Sequence, residues 1–464
     1  MVSRMKTRGG YTVNLEGKPA KEILNLREPT ALHLPLRTTR FNFSELHVRD
    51  AESVLQGMIL ASDPGNHGIP LLAPRSGTVS LASNPGHVTI EGLKPDAPKQ
   101  GFNYPEAYND VEGLDPRDRT IRKLIRKGAW QFFSDAFTGQ VPDPAAIPQA
   151  VIISTVNLEP FSVRGDVQLE SRLHNFLRGL EQLQPLLEYQ PIHLVFPIFR
   201  STLGVKIRAI ARGIAWIRLH EIPLLYPHDH PRILARRLGL KSADGIVWSL
   251  RTEGVLAVDS AITYDQAVTK RVMAIGGPAA GNRTHFSAIP GYPLDSLREQ
   301  LGVQEPSRLI NGGVFTGTTL GPETLGLDSE MQNLTALPAT VKRELLAFMR
   351  PAFGKRSYSR TFGSVIRGPF QERLSIALRG EHRPCIACGF CAEVCPVWLL
   401  PSVIHRQIFA DDLDAAEKSR PDLCVGCGLC SFVCTSKIDL RQEILDLNET
   451  LRRESATQEE GALT

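Results

Sequence analysis

No cysteine precedes residue 385 in this 464-residue chain, and all eight lie between positions 385 and 434. The body before them therefore has no disulfide framework and no thiolate metal site of its own. Long apolar runs are missing too. The longest, 150–156 and 191–199, are strand-length and interrupted, well short of the ~20 residues that a membrane-spanning helix needs. Nor is there a strong charge of one sign. Lys plus Arg (53) against Asp plus Glu (49) leaves +4, too small a bias to point to nucleic acid. The first ten residues are basic without the apolar stretch of a secretory signal, so a cytoplasmic chain with reduced thiols is expected. No G-x-G-x-x-G follows a candidate strand and no G-x-x-x-x-G-K-[ST] occurs, which leaves the usual phosphate cradles without a candidate. What the chain does have is apolar content, 42%, enough at this length for roughly three domains.

The cysteines form two runs, Cys385, Cys388, Cys391 and Cys395, then Cys424, Cys427, Cys430 and Cys434. Each reads C-x2-C-x2-C-x3-C, and Pro396 completes the bacterial ferredoxin pattern in the first. Three thiolates in one tight loop can cap three irons of a cubane, while the fourth, one helical turn on, points toward a neighbouring cluster. Zinc knuckles would use C-x2-C twice and leave four cysteines over; disulfides would not persist in a reducing compartment. Two [4Fe–4S] clusters are the expected cofactors. In two-cluster ferredoxins the fourth cysteine of each run ligates the other cluster. One site is then Cys385, Cys388, Cys391 and Cys434, the other Cys424, Cys427, Cys430 and Cys395. Thr435 replaces the second proline, which alters only an exit turn. Helices are predicted over 404–418 and 440–453, with Ile386, Phe390, Val425 and Leu429 expected to bury the clusters.

Residues 34–91 are β-rich, with turns at Asp63-Pro64-Gly65-Asn66, Arg75-Ser76-Gly77 and Asn84-Pro85-Gly86. Their hairpins are similar to those of biotinyl and lipoyl domains, but 62–68 has no lysine, so a swinging arm is excluded. From 149 to 276 strand-like runs (150–156, 193–199, 245–248) alternate with helical ones (168–187, 233–238), which predicts an α/β unit with a largely parallel sheet. Three smaller features have two readings each. Tyr226-Pro227-His228-Asp229-His230-Pro231 offers metal ligands or, with its prolines, a surface loop. Gly276-Gly277-Pro278 is a ligand approach or a strand-ending turn. Asn311-Gly312-Gly313-Val314-Phe315-Thr316-Gly317 suits tight turns and a flavin or quinone pocket equally.

The order of these segments, with Ala73–Val79, 258–274, Ile289-Pro290-Gly291-Tyr292-Pro293-Leu294, Gly313–Gly317, Arg343–Phe348 and Tyr358–Phe362, resembles the NqrA subunit of the Na+-translocating NADH:quinone reductase (Nqr) from about residue 30 to 365. The cysteine tail departs from that subunit and is similar to the C subunit of the related Rnf complex, although the glycine-rich flavin and NADH loop of the latter has no counterpart here. The resemblance implies a multidomain α/β chain: an N-terminal segment (1–30), a barrel-sandwich-hybrid β domain (31–100), a Rossmann-like α/β domain (101–280), a β-grasp-like (SLBB) segment (281–330), a linker or helical segment (331–375) and an α-helical two-cluster ferredoxin domain (376–464). It also implies an electron-transfer subunit of a membrane-associated, ion-translocating NADH:quinone oxidoreductase, peripheral on the inner face of the membrane. Integral membrane subunits, a redox partner protein and quinone are the implied partners. FMN has no supporting motif. The alternatives are a ferredoxin-fused adaptor and a catalytic dehydrogenase subunit that binds flavin and NADH itself.

Overall fold

A computed structural model of the chain describes residues 2–5, 7–94, 104–109, 113–198, 201–339, 374 and 382–462. The motifs at 343–348 and 358–362, and most of the segment 331–375, lie outside the described residues.

The α/β unit is organised by four parallel strands, Ala150–Ser154, Ile192–Pro197, Ile217–Ile222 and Val247–Arg251. Two of them, Ala150–Ser154 and Ile192–Pro197, are apolar along nearly their whole length, as strands covered on both faces tend to be. Their order across the sheet is 217–222, 192–197, 150–154, 247–251. Val2–Arg4 pairs parallel with Ile217–Ile222 at one edge, and Ser134–Asp135 pairs antiparallel with Val247–Arg251 at the other. Successive side chains go to opposite faces. Val151 and Ile153 pack with Phe176, Leu180, Leu183 and Val255 of the helices Leu173–Leu183 and Thr252–Thr263, whereas Ile152 packs with Val195, Leu234 and Ala235 beside the helix Pro231–Arg237. Three strands run outward in chain order from 150–154 and the fourth returns to its other side. The direction of winding thus switches between the carboxyl ends of Ala150–Ser154 and Val247–Arg251, where open α/β sheets form a crevice.

The helix predicted over 168–187 is divided into Gly165–Gln168, Leu173–Leu183 and a 3-10 turn Gln184–Leu187. Pro185, which has no N–H to donate, stands in that turn. The strand expected at 245–248 is shifted to Val247–Arg251 because Gly245 and the 3-10 turn Ser242–Asp244 precede it.

The β-rich part forms a four-stranded sheet (Ala31–Pro35, His87–Lys94, Ser76–Ser80, Ser53–Val54) and a three-stranded one (Glu45–Leu46, Ile59–Asp63, Ile69–Leu72). A further six-stranded sheet runs Thr318–Thr319, Ser307–Asn311, Asn333–Pro338, Arg271–Gly276, His285–Ala288, Ile23–Asn25. The N-terminal segment therefore contributes a strand to each of two sheets. The C-terminal region is helical: Phe390–Val394, Pro401–Phe409, Leu413–Lys418, Leu429–Val433 and Leu440–Ala462. The single helix predicted over 404–418 breaks at Asp411, whose φ is 54°, and restarts where the Asp412 side chain accepts from Ala415 N at 3.0 Å. Among the described residues no helix is long and apolar enough to cross a membrane.

One buried pair in the parallel sheet makes its stability pH-dependent. His193 and His220 stand on neighbouring strands with Nδ1 of the first 2.9 Å from Nε2 of the second and their rings stacked. Burial first, then the His220 imidazole and Arg218 for His193 and Arg218 alone for His220, hold both imidazoles down at about 4. Both are neutral in the fold and take up protons on unfolding between pH 4 and 6.5. Their contribution is complete above pH 6.5 and is lost as the pH falls toward 4, by up to about 3 kcal/mol per imidazole. In denaturant titrations between pH 4.5 and 7, a His193→Gln, His220→Gln double variant is expected to show a shallower dependence of stability on pH than the parent. Equal slopes would mean that the pair titrates as it does in water.

Candidate cluster site

The two cysteine runs fold almost alike. Gly389 and Gly428, with φ of 77° and 75°, each precede a five-residue helix, Phe390–Val394 and Leu429–Val433. Only glycine takes that left-handed turn without strain. Cys391 and Cys430 fall on the second residue of each helix, and Cys395 and Cys434 cap its end. The x3 gap is thus one short helix, which carries the fourth sulfur away from the loop of the first three.

Cys395 does not stay with its own run. It lines one small, mostly apolar pocket with Cys424, Cys427 and Cys430, closed by Leu399, Leu429 and Ile444. Cys385, Cys391 and Cys434 gather on the other side around Ile438 and Leu440, with Cys430 between the two groups. Cys388 is exposed, its Sγ 3.8 Å from Thr435 Oγ1. Among the described residues no three His, Cys, Asp or Glu side chains are placed to hold a single metal ion. Burial pushes the Cys427 thiol up to about 12 and raises Cys391, Cys395, Cys424 and Cys430 as well. Left to themselves these sulfurs stay protonated, so a cationic centre is needed to make them thiolates. An all-sulfur donor set in an apolar pocket fits an iron–sulfur cluster. Backbone donors already point at the sulfurs: Leu399 N to Cys395 Sγ at 3.3 Å, Gly426 N to Cys424 Sγ at 3.3 Å and Ile438 N to Cys434 Sγ at 3.4 Å.

Of the four side chains expected to bury the clusters, Leu429 is fully buried and Phe390 and Val425 are half-buried, but Ile386 is 68% exposed. It sits on the rim beside Cys388, and the burial on that side comes from Ile438 and Leu440 instead.

The loop 226–231 is not at the surface. Its prolines suggested a solvated turn, yet His228 and Asp229 are buried because distant groups meet their polar atoms. Asp229 accepts from Leu158 N at 3.1 Å and Arg251 Nη1 at 2.9 Å. His228 lies 2.9 Å from Arg237 Nη2 and 3.2 Å from Gly9 O. The loop seats the second cysteine run: Tyr226 donates its hydroxyl to Cys427 O at 2.8 Å. Phe315 stacks on Tyr226 with ring centroids 5.2 Å apart and meets Phe432 edge-on at 5.1 Å. That gives the glycine-rich stretch 311–317 a packing role. Glu159 closes it, accepting from Phe315 N, Thr316 N and Thr316 Oγ1 at 3.0, 2.8 and 2.7 Å, and a Cβ on Gly313 would run into that carboxylate. Gly277 likewise lies against the backbone of Gly17 and Ala336, where protein fills the room a ligand would need.

A contact that sequence reasoning missed is the strap formed by residues 8–11. Gly10 N donates to Val394 O at 2.8 Å, a Cβ on Gly9 would strike the Cys395 carbonyl, and the Arg8 guanidinium lies 5.4 Å from the Trp398 ring centre. The adjacent glycines at 9 and 10 were its only trace in the sequence.

Tyr226→Phe removes one hydrogen bond to the Cys427 loop and leaves the ring stack, a loss of about 1 kcal/mol. Amide exchange over 424–434 is expected to speed up roughly fivefold, with the α/β sheet unaffected; unchanged exchange would show that the ring stack alone seats the loop.

Comparison with known proteins agrees with this two-part construction. Residues 116–264 match the model of the NqrA second alpha/beta domain, and residues 384–438 match that of the 4Fe-4S dicluster domain. The chain is 25% identical over 387 residues to the NqrA subunit of the Na(+)-translocating NADH-quinone reductase of Histophilus somni, covering 80% of this chain and 82% of that one. To the corresponding subunit from Vibrio parahaemolyticus it is 23% identical over 411 residues, covering 87% and 86%. Among solved structures, an NAD+-reducing [NiFe]-hydrogenase in the H2-reduced state overlays 72% of this chain and 60% of its own at 11% identity, with a TM-score of 0.41, too distant to carry an argument. The chain is thus similar over most of its length to the NqrA subunits of NADH-quinone reductase, and it joins a stretch that matches the NqrA second alpha/beta domain to one that matches a 4Fe–4S dicluster domain.

Proposed function

We propose that the chain is the iron–sulfur electron-transfer subunit of a membrane-associated, ion-translocating NADH:quinone oxidoreductase of the Nqr/Rnf type. One cluster would be held by Cys385, Cys388, Cys391 and Cys434, the other by Cys424, Cys427, Cys430 and Cys395. The observation that carries this reading is the shared pocket of Cys395 with the three loop cysteines of the second run. When bound, such clusters supply reversible one-electron transfer. The residues of the chain would do the rest. The N–H groups of Leu399, Gly426 and Ile438 offset charge on the sulfurs. Leu429, Ile444 and Leu399 exclude water from one pocket, while the exposed Cys388 and Ile386 turn the other toward solvent and a redox partner.

The relatives' name, a subunit of a Na(+)-translocating NADH-quinone reductase, supports docking to other subunits of such a complex; in the proposed arrangement the chain lies on the cytoplasmic side and quinone in the membrane partners. The two smaller sheets of the β-rich part suit a barrel-sandwich hybrid (31–100), and the sheet carrying His285–Ala288 and Ser307–Asn311 suits a β-grasp-like segment (281–330). The α/β domain (101–280) and ferredoxin domain (376–464) complete the organisation.

Anaerobically reconstituted chain is expected to carry about eight irons and eight sulfides. In EPR, Cys395→Ser should perturb the signal that Cys424→Ser perturbs and leave intact the one lost in Cys388→Ser. Grouping of Cys395→Ser with Cys388→Ser would instead assign each run its own cluster. The isolated chain is expected to reduce no dye with NADH; clear turnover with bound FMN would make it a catalytic dehydrogenase subunit.

A further inference from the structure

A cavity of about 1220 Å³ opens between the carboxyl edge of the parallel sheet and the helical C-terminal region. It lies at the switch of winding direction, where the loops after Ala150–Ser154 and Val247–Arg251 diverge; Asn157, Glu159 and Arg251 line it. Its other wall is the Cys424–Gly426 loop and the helix Leu440–Ala462. Six cationic side chains face this space, Arg232, Arg236, Lys241, Arg251, Arg441 and Arg452, against the acids Asp135, Glu159 and Asp229.

The acids are already engaged. Asp229 pairs with Arg251 at 2.9 Å, Glu159 closes the 311–317 stretch, and Asp135 accepts from Thr138 N and Oγ1 at 3.1 and 2.8 Å. Two of the cations hold the cluster loop, Arg232 through Cys424 O at 3.2 Å and Arg441 through Gly426 O at 2.7 Å. The side chains of Arg236, Lys241 and Arg452 make no hydrogen bond or ion pair among the described residues, and the buried Nε of Arg232 has no partner; Asp422 lies near enough to act on Arg232 and Arg236 but is itself paired with Arg420. Arg232 and Arg236 are one turn apart on one helix, and Arg441 and Arg452 three turns apart on another, so each pair shares a face. Like charges set opposite each other across a cleft repel unless an anion lies between them. Phe137, Leu240 and Leu445 give the same cavity an apolar part.

The geometry points to a binding site for a nucleoside diphosphate or a ligand built on one, with the diphosphate between Arg236 and Arg452 and the ring system against Phe137 and Leu240. This site is distinct from the glycine stretches at 276 and 312, and it does not depend on the electron-transfer reading, since its cations need no cluster to face one another. Phosphate recognition here uses guanidinium groups in place of a glycine-rich loop, which accounts for a nucleotide site in a sheet that has no G-x-G-x-x-G.

The test is calorimetric titration of the full-length, cluster-loaded chain with ADP and, separately, with inorganic pyrophosphate at low ionic strength. Binding of ADP is expected, tighter than that of pyrophosphate. Arg236→Gln and Arg452→Gln should each weaken both ligands by roughly tenfold. Phe137→Ala should weaken ADP and leave pyrophosphate unchanged. Retention of the parent EPR spectrum serves as the control for folding. No binding of ADP up to millimolar concentration, or unaltered affinity in both arginine variants, would overturn the site; ADP binding no tighter than pyrophosphate would overturn its ring-plus-diphosphate assignment.

Discussion

The seating of the second cysteine loop on the α/β unit is the contact on which the rest of the arrangement depends. Tyr226 is held by a loop whose own polar atoms are met from several directions: Leu158 and Arg251 on Asp229, Arg237 and Gly9 on His228. Its hydroxyl reaches Cys427 O, and Phe315 fills the space between its ring and Phe432. The parallel sheet fixes the loop, the loop fixes the tyrosine, and the tyrosine fixes the backbone of a cysteine run. Because Cys395 shares that pocket, the first run is positioned through the second.

Electrostatics follow the same geometry. The buried thiols are disfavoured as anions by their surroundings, and the chain answers with main-chain N–H groups and with Arg232 and Arg441 bound to the carbonyls of the same loop. Placing cations on carbonyls keeps them close without a direct ion pair to sulfur, so they hold position whether or not the sulfurs carry charge.

The parts legible in the sequence were those whose physics is local. Buried parallel strands read as near-continuous apolar runs, and those at 150–156 and 193–199 announced them. Cysteine spacing reads directly onto a glycine turn and a one-turn helix. The loop at 226–231 was misread because a buried histidine and aspartate look like solvated ones until their partners, up to 219 positions away for His228 and Gly9, are known. Glycines at 276–277 and 311–317 carry the same signature for close packing as for ligand approach, and only the presence of Gly17, Ala336 and Glu159 against them distinguishes the two. The edge strand Val2–Arg4 and the strand Ile23–Asn25 are too short and too exposed to show a pattern.

Residues 8–11 lie across the end of the Phe390–Val394 helix, some 380 positions along the chain. During synthesis this segment leaves the ribosome long before that helix, and the intervening α/β unit, on which Val2–Arg4 and Tyr11 already dock, can form while the strap beneath the clusters waits. Contacts that span nearly the whole chain close late and at a high entropic cost. The cysteine module therefore completes more than itself: its arrival gives residues 8–10 their partners at Val394, Cys395 and Trp398, so that the strap and the cluster loops become ordered together.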